Sequence, residues 1–517
     1  MRSAGWLNPH SWSLSPEESD FEGPKSRWSN KDMDPVPPSG RTWTTWNYVA
    51  YWISDGANVS VWQMASSMLA VGLSWREALA AIAVGHIIIA SVMVLNGTIG
   101  ARLHVAFPVI ARISFGFWLS YFAVVSRIVL AMFWFGILML KAIWPSIARV
   151  PNRLPEGSNI TTVGMMCYFL YWLIQFPLML VSPQRIRHLF TAKSIIVPIA
   201  WLAILIWSLV RVPTSVSLEP QHARVKGEEF SWAWLSALNS ALGLYATLSV
   251  NIADFTRYAK NERVQYVQLA IIPTVFTLSS FIGIAVTSAA ATIYNEILWD
   301  PLTLIDKWDN RAAAFFASFS FLLATLGTNI SGNSISAGND MTSLFPRYIN
   351  IRRGQAICAF VGGWALCPWE ILASAPRFLS FMSGYTVFLG PFAAIIAVDY
   401  WLVRGCKVDV PAMYDPKGRY QYWNGVNWRA LATLVISVTP DLPGLIHNIN
   451  PNIFVGNASF MFNVSWLFGF FVAGGVYWSL SRIFPPIETF VDETIHGDEG
   501  DEGDAVIEQR LSEKRSG

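Results

Sequence analysis

Residues 54–60 read SDGANVS, which places a carboxylate, a glycine, an amide and two hydroxyls inside an otherwise apolar and aromatic segment. A continuous helix satisfies its own backbone hydrogen bonds, so such a stretch at membrane depth predicts an interrupted helix with backbone groups free for a solute or ion. A second polar stretch, NSALGLY, occupies residues 239–245. The two stretches lie at corresponding positions if the first ten membrane spans form two five-helix inverted repeats.

The composition requires a lipid environment. Hydrophobic residues make up 53% of the 517 residues and charged residues only 14%, whereas soluble domains contain roughly one quarter charged residues. Apolar runs of roughly 20 residues, the length that crosses a bilayer, recur between polar breaks. We therefore predict an all-α membrane protein with twelve transmembrane helices. The predicted spans are 45–72, 77–96, 117–143, 161–181, 192–211, 232–256, 265–290, 312–338, 354–370, 377–402, 427–447 and 464–483.

The spans divide the chain into four predicted parts. Residues 1–43 form a polar N-terminal tail, 44–402 a ten-helix core, 403–486 the last two helices, and 487–517 an acidic C-terminal tail. The first part lacks the apolar segment of a cleavable signal peptide. Lysine and arginine are more frequent in the loops that face inward when both tails are cytosolic, and this bias favours that orientation.

Several classes of function are disfavoured by what the sequence lacks. The net charge of +2, from 36 basic and 34 acidic residues, gives no reason to expect a nucleic-acid partner. The four cysteines and seven histidines are scattered, without metal-ligand spacing. Neither a nucleophile elbow nor a phosphate loop is present. We expect no enzymatic activity, no metal and no cofactor.

Two polar features inside predicted spans are candidates for a binding site. Asp55 is a carboxylate in the first span, where a charge costs about 2.5–3.5 kcal/mol on insertion scales. Such a residue lies on a solute or ion pathway, pairs with a partner, or sits at the cytosolic interface. The eighth span contains the densest polar run, with Asn329 and Asn333 four residues apart on one face. An amide both donates and accepts, which suits the polar edge of a heterocycle.

Motifs spread along the chain resemble a known transporter family. They are WFG at 134–136, NIADFTRYAK at 251–260, the polar run at 324–333, GGWA at 362–365 and DYW at 399–401. In this order they resemble the nucleobase:cation symporter-1 family, and within it the fungal uracil, allantoin and uridine permease branch. The resemblance implies twelve helices in the five-plus-five inverted-repeat (LeuT-like) fold, with broken helices one and six, alternating access, and co-transport of Na⁺ or H⁺.

The same resemblance implies roles for individual residues. Trp134 is expected to stack on the solute ring, and Asn333 to hydrogen-bond its polar edge. Tyr245 is expected near the other face of the ring. The unwound part of the first helix is implied to line the same cavity through Gly56, Asn58 and Ser60.

The sequence departs from the family pattern at two places. Leu138 stands where members that recognise uracil-like or allantoin-like amides have glutamine, and this leaves the solute's identity open. Na⁺-coupled members bind the cation on the eighth helix with a small residue followed by Ser and Thr, which here correspond to Ala324, Gly327 and Thr328. Since Gly327 supplies no oxygen ligand, H⁺ coupling is favoured over Na⁺. Asp55 or Asp340 is then the protonation or gating carboxylate.

We therefore expect a multi-pass plasma-membrane symporter, with both termini cytosolic, that takes up a nucleobase or related small heterocycle with protons. The tenth span, with Pro376, Gly384 and Gly390, is interpreted as an outer gate or as ordinary helix packing. A carrier of thiamine or nicotinamide riboside is an alternative, because a charged or sugar-bearing ring need not use a glutamine at 138. A nutrient sensor with little transport is another. The expected partners are the solute and the bilayer.

Overall fold

The computed structural model describes residues 13–14, 28–137, 151–181, 183–212 and 225–496. In these ranges the regular secondary structure is helical, with a few isolated bridges and irregular connections between the helices. Among the described residues, eight helices are long and apolar enough to cross a membrane. They correspond to predicted spans two, four, five, seven, eight, ten, eleven and twelve.

The remaining four predicted spans also coincide with helices, and we number the spanning helices α1 to α12. Their bounds are α1a Thr45–Gly56, α1b Val59–Ala70, α2 Trp75–Leu103, α3 Ser120–Ile137, α4 Thr162–Met179, α5 Pro183–Arg211, α6 Gly227–Asn251, α7 Gln268–Tyr294 after a 3-10 turn Glu262–Val267, α8 Arg311–Thr328 with Asn329–Ile335 and Ser336–Leu344, α9 Ile351–Phe360 with Val361–Ala365, α10 Ala375–Gly384 with Thr386–Val398 and Asp399–Val403, α11 Trp428–Val438 with Thr439–Asp441 and Leu442–Ile449, and α12 Gly456–Val464 with Ser465–Ile483.

The first spanning helix is broken where the polar stretch predicts. Asn58 has extended backbone angles (φ -133°, ψ 137°), and its Oδ1 accepts a hydrogen bond from the backbone N–H of Ser60 at 2.9 Å. An asparagine at this position caps a new helix because its side chain replaces one missing backbone acceptor. The break at Ala57 and Asn58 therefore ends α1a and starts α1b within the membrane segment.

The predicted position of a second break, at residues 239–245, is corrected by the structure, since α6 is continuous through that stretch and the sixth span is interrupted instead at Ile252, before the short helix Ala253–Thr256. Its polar residues bond neighbouring helices. The side-chain nitrogen of Asn239 lies 3.1 Å from Ser465 Oγ and 3.3 Å from Thr386 Oγ1, and its Oδ1 accepts from the N–H of Trp466 at 3.0 Å. Gly243 permits close approach, because a Cβ there would lie 2.3 Å from the Met382 carbonyl oxygen. These small polar residues serve helix contact.

Irregular backbone occurs instead in α8, α9 and α10, each of which contains a π-helical turn: Asn329–Ile335, Val361–Ala365 and Asp399–Val403. Such turns are frequent at functional sites because they re-aim side chains and weaken the regular backbone ladder. The turn in α8 coincides with the polar run singled out in the sequence. The irregularities that coincide with polar stretches singled out in the sequence thus lie in α1 and α8.

Apolar side chains on the outside of α5 identify a lipid-facing surface. Ile199, Ile206 and Val210 are 63%, 62% and 80% exposed. Exposed apolar residues in such number are unfavourable in water and favourable against acyl chains. This surface agrees with a multi-pass membrane protein.

The described part of the predicted N-terminal tail packs on the helical body. The N–H of Trp43 donates to the Tyr258 carbonyl at 2.8 Å, and the N–H of Lys260 donates to the Trp43 carbonyl at 2.9 Å. Arg257 Nη1 donates to the carbonyl oxygen of Asp32 at 2.8 Å. Residues 32–43 are therefore held against the segment that connects α6 and α7.

Candidate functional site

A buried lysine lies at the predicted cation positions of α8. Lys193, from α5, is 1% exposed, and its Nζ donates a hydrogen bond to Thr328 Oγ1. A Cβ on Gly327 would lie 2.5 Å from Lys193 Cδ. The missing side chain of Gly327 therefore makes room for the lysine. Ala324, the third predicted position, is fully buried in the same helix.

Asp55 lies at the end of α1a, directly before the helix break, and is 3% exposed. It is therefore buried beside the broken helix and not at an exposed interface. Its carboxyl group and the Lys193 ammonium are near enough for their charges to attract each other, without a direct ion pair in the described ranges. Within the described ranges its Oδ1 has no hydrogen-bond partner. The structure thus brings together a carboxylate of α1a, an ammonium of α5 and a hydroxyl of α8.

Trp134 of α3 lies in a box of aromatic rings from α10. Its ring makes edge contacts with Phe378, Phe381 and Tyr385 at centroid distances of 6.2, 5.7 and 6.5 Å. The indole is 6% exposed, and its Nε1 has no hydrogen-bond partner in the part of the chain that the structure describes. A flat apolar surface with one free N–H is suited to stacking on a ring that carries an acceptor.

An aromatic contact continues this box toward the segment between α7 and α8. Trp299, in that segment, stacks on Phe378 at 6.1 Å with an interplanar angle of 22°. On its other side the box reaches α6, because the Tyr385 hydroxyl donates to the Gly243 carbonyl at 2.8 Å. Of the residues singled out in the tenth span, Gly390 packs against the Trp466 carbonyl of α12. The aromatic residues of α10, and not its glycines, contact the candidate site.

Tyr245 contacts the end of α1a at Asp55. Its hydroxyl lies 3.4 Å from the backbone carbonyl oxygen of Asp55, to which it donates. Its ring contacts Phe276 at 4.5 Å and Trp52 at 5.9 Å. The residue therefore ties α6 to the end of α1a, whereas the aromatic residue that the structure places beside Trp134 and bonds to α6 is Tyr385.

The two asparagines of α8 form one hydrogen-bonded unit. Asn333 Nδ2 donates to Asn329 Oδ1 at 2.9 Å, and Asn329 Nδ2 donates to the Phe135 carbonyl oxygen at 2.9 Å. Asn329 is fully buried and Asn333 is half-buried. Since Phe135 directly follows Trp134, this unit attaches the predicted hydrogen-bonding residue to the backbone of the predicted stacking residue.

The remaining predicted cavity residues have different surroundings. The Ser60 hydroxyl is buried and has no protein partner among the described residues. Gly56 packs against α7, where a Cβ would lie 2.4 Å from Val275 Cγ1. Asn58 caps α1b, as described above. Leu138 lies outside the described residues.

Asp340 is paired with arginine. Its Oδ2 accepts a hydrogen bond from Arg127 Nη2 of α3, and the two side chains are 0% and 2% exposed. The same Nη2 lies 3.4 Å from the Ser336 carbonyl oxygen. This buried ion pair joins α3 to α8, which suits a structural link better than a freely protonating carboxylate.

A separate surface cavity of about 500 Å³ is lined by residues that include Trp28, Trp118, Lys417 and Gln421. It contains none of the residues predicted to bind the solute. We therefore locate the candidate site at the buried polar centre between α1, α3, α6 and α8.

Sequence reasoning missed Lys193, the aromatic residues of α10, and Gln175 of α4, whose Oε1 accepts from Asn329 Nδ2 at 3.4 Å. Signals for them were present. Lys193 and Gln175 are polar residues inside predicted spans, where such residues are rare and commonly functional. Phe378, Phe381 and Tyr385 recur at helical spacing, which places them on one face.

The split first helix, the polar centre and the apolar outer surface define a multi-pass membrane transporter. Residues 35–469 match the family described as permeases for cytosine/purines, uracil, thiamine and allantoin. The chain is 36% identical over 495 residues to the allantoin permease of Saccharomyces cerevisiae, covering 90% of this chain and 78% of that protein. It is 35% identical over 484 residues to the uracil permease of the same organism, covering 88% and 76%.

The fold is also found in a solved structure. Mhp1, a nucleobase-cation-symport-1 family transporter in a closed conformation with bromovinylhydantoin bound, aligns with a TM-score of 0.68 at 21% identity. The alignment covers 89% of this chain and 97% of the Mhp1 chain. The chain therefore belongs to the family of permeases for cytosine/purines, uracil, thiamine and allantoin. It is a transporter and not an enzyme, and the predicted membership and LeuT-like fold are confirmed.

Proposed function

We propose that the protein is a plasma-membrane importer that couples proton entry to the uptake of a small heterocycle with an amide edge, of the uracil, allantoin or uridine type. Both termini are cytosolic in this proposal. Two relatives that cover most of the chain are named as an allantoin permease and a uracil permease. The single observation that carries the solute class is the direct attachment of the Asn329–Asn333 unit to the backbone beside Trp134.

The heterocycle would bind with its face on Trp134 and its polar edge at Asn333. Trp134 Nε1 and the Ser60 hydroxyl are buried polar groups that a solute can satisfy, and leaving such groups unsatisfied costs about 1–3 kcal/mol each. The α10 rings at Phe378 and Phe381 would close over the bound ring. Because Trp134 is only 6% exposed, the solute needs an opening of these helices to enter, as alternating access requires.

Proton coupling is supported by the lysine at the cation positions. The Lys193 ammonium supplies positive charge next to Thr328, but it is part of the protein and cannot cross the membrane with the solute. The charge that can move there is a proton exchanged at Asp55, whose carboxylate is attracted by the Lys193 ammonium. Protonation of Asp55 would remove the attraction between α1a and α5, and this change in charge would favour one state of the carrier over the other.

Uptake of radiolabelled uracil, allantoin and uridine, measured in cells that lack their own carriers, tests the proposal. We expect one of these solutes to accumulate, a protonophore to abolish the accumulation, and removal of Na⁺ to leave it unchanged. Trp134→Ala and Asn333→Ala should each reduce uptake at least tenfold at equal surface abundance, since each removes a group that contacts the solute. Trp46→Ala is the matched control, because Trp46 is 77% exposed.

Other outcomes contradict the proposal. Accumulation of thiamine or nicotinamide riboside in place of the amide heterocycles would overturn the solute class. Binding without accumulation, at normal surface abundance, would indicate a sensor. Na⁺-dependent uptake that is insensitive to a protonophore would contradict the coupling through Asp55 and Lys193.

A further inference from the structure

A buried glutamine of α4 reaches the asparagine unit of α8. Gln175 is fully buried, and its Oε1 lies 3.4 Å from Asn329 Nδ2, which donates to it. Its own Nε2 lies 3.8 Å from Met179 Sδ, and a thioether is a weak acceptor. Among the described residues the stronger polar partner of Gln175 is therefore Asn329, and hydrogen bonds connect three amides, from Gln175 through Asn329 to Asn333.

These hydrogen bonds fix which way each amide points. Asn329 uses its amino group toward two oxygens, the Phe135 carbonyl at 2.9 Å and Gln175 Oε1 at 3.4 Å. A flipped Asn329 would direct its own oxygen at those two acceptors, which is repulsive. Its Oδ1 must then face Asn333, whose Nδ2 donates to it at 2.9 Å. The orientation of Asn333 follows from that of Asn329.

A fixed Asn333 presents a defined pattern to a ligand. One N–H of its amide is used by Asn329, so its Oδ1 acceptor and its second N–H are left. An acceptor beside a donor is complementary to a ring edge on which an N–H adjoins a carbonyl. Without Gln175, the Asn329 amino group has only the Phe135 carbonyl as acceptor, so Asn329 is held less firmly. Asn333 can then rotate or flip, and it would present its acceptor and donor to the ring edge less often.

We propose that Gln175 is a positioning residue for the solute site, holding Asn329 and through it Asn333 in the orientation that recognises an N–H/C=O ring edge. This inference rests on the proposed function, because it needs Asn333 to bind the solute. It gives α4 a role in solute specificity that acts through Asn329, without direct contact between Gln175 and the solute. A purely structural Gln175 would instead only bind α4 to α8.

The test compares Gln175→Met, which keeps the length but removes the acceptor, with Gln175→Glu, which keeps an acceptor oxygen toward Asn329. KM is measured for whichever of uracil, allantoin and uridine accumulates, and for its derivative methylated on a ring nitrogen that adjoins a carbonyl. We expect Gln175→Met to raise the KM of the parent solute about tenfold. The KM of the methylated derivative should change less than about twofold, so discrimination falls. Gln175→Glu should retain most of the discrimination.

Gln265→Met is the matched control, since Gln265 is another fully buried glutamine whose amide donates to Thr98 at 2.9 Å, away from Asn329. It should leave the ratio of the two KM values unchanged. If Gln175→Met changes both KM values equally, or lowers only surface abundance, Gln175 is structural and the inference is wrong. If Asn333→Ala leaves KM unchanged, or if none of the three solutes accumulates, the proposed function fails and the inference fails with it.

Discussion

Removing either partner of the Arg127–Asp340 ion pair should strongly destabilise the protein, while removing both should cost much less. Both side chains are almost completely buried, at 2% and 0% exposure. A single substitution leaves an uncompensated charge, which costs about 3–5 kcal/mol, whereas an apolar replacement of a whole buried pair is often neutral. The loss for Arg127→Met should lie at the upper end of this range, because the negative charge of Asp254 repels the unpaired negative charge of Asp340.

The assay is equilibrium unfolding of the purified protein in mixed micelles, for Arg127→Met, Asp340→Asn and the double variant. The control is Glu262→Gln, since the Arg102–Glu262 pair is about one third exposed on both sides. That exposed pair should contribute at most about 1 kcal/mol. The double variant should be more stable than the sum of the two single losses predicts.

The opposite result has a clear meaning. If Asp340→Asn is as stable as Glu262→Gln and makes uptake insensitive to a protonophore, Asp340 is a protonating carboxylate and not a structural partner of Arg127. The assignment of coupling to Asp55 and Lys193 would then be wrong.

Two further predictions concern the cation positions and the packing of α10. Lys193→Ala should abolish protonophore-sensitive uptake. Adding Gly327→Ser should then restore uptake that depends on Na⁺, because the serine oxygen completes the family's cation pattern once the lysine side chain no longer occupies that space. Uptake in Na⁺-free and Na⁺-containing medium checks this, and unchanged proton-driven uptake by Lys193→Ala would refute it. Gly390→Ala should destabilise the fold by about 1–3 kcal/mol, because its Cβ would lie 2.5 Å from the Trp466 carbonyl oxygen. Gly475→Ala, where nothing lies within 4 Å, should be neutral; equal unfolding free energies for the two variants would contradict the packing argument.

The sequence predicted those features that depend on local composition. Among the described residues, hydropathy and length account for eight of the spanning helices, because each of these is apolar over roughly 20 consecutive residues whatever its neighbours are. The break at Asn58 was also predictable, since an asparagine can cap a new helix with its own side chain. Motif order identified the family and implied Trp134 and Asn333.

Tertiary structure decided which polar residues meet. Residues 239–245 are a polar stretch like residues 54–60, but Asn239 has hydrogen-bond partners on α10 and α12, and α6 is continuous through this stretch. Lys193 lies 135 positions from Thr328 and Gln175 lies 154 positions from Asn329. No local pattern encodes contacts at such separations, because they arise only when packed helices bring distant side chains within a few ångströms in a medium that offers them few other partners.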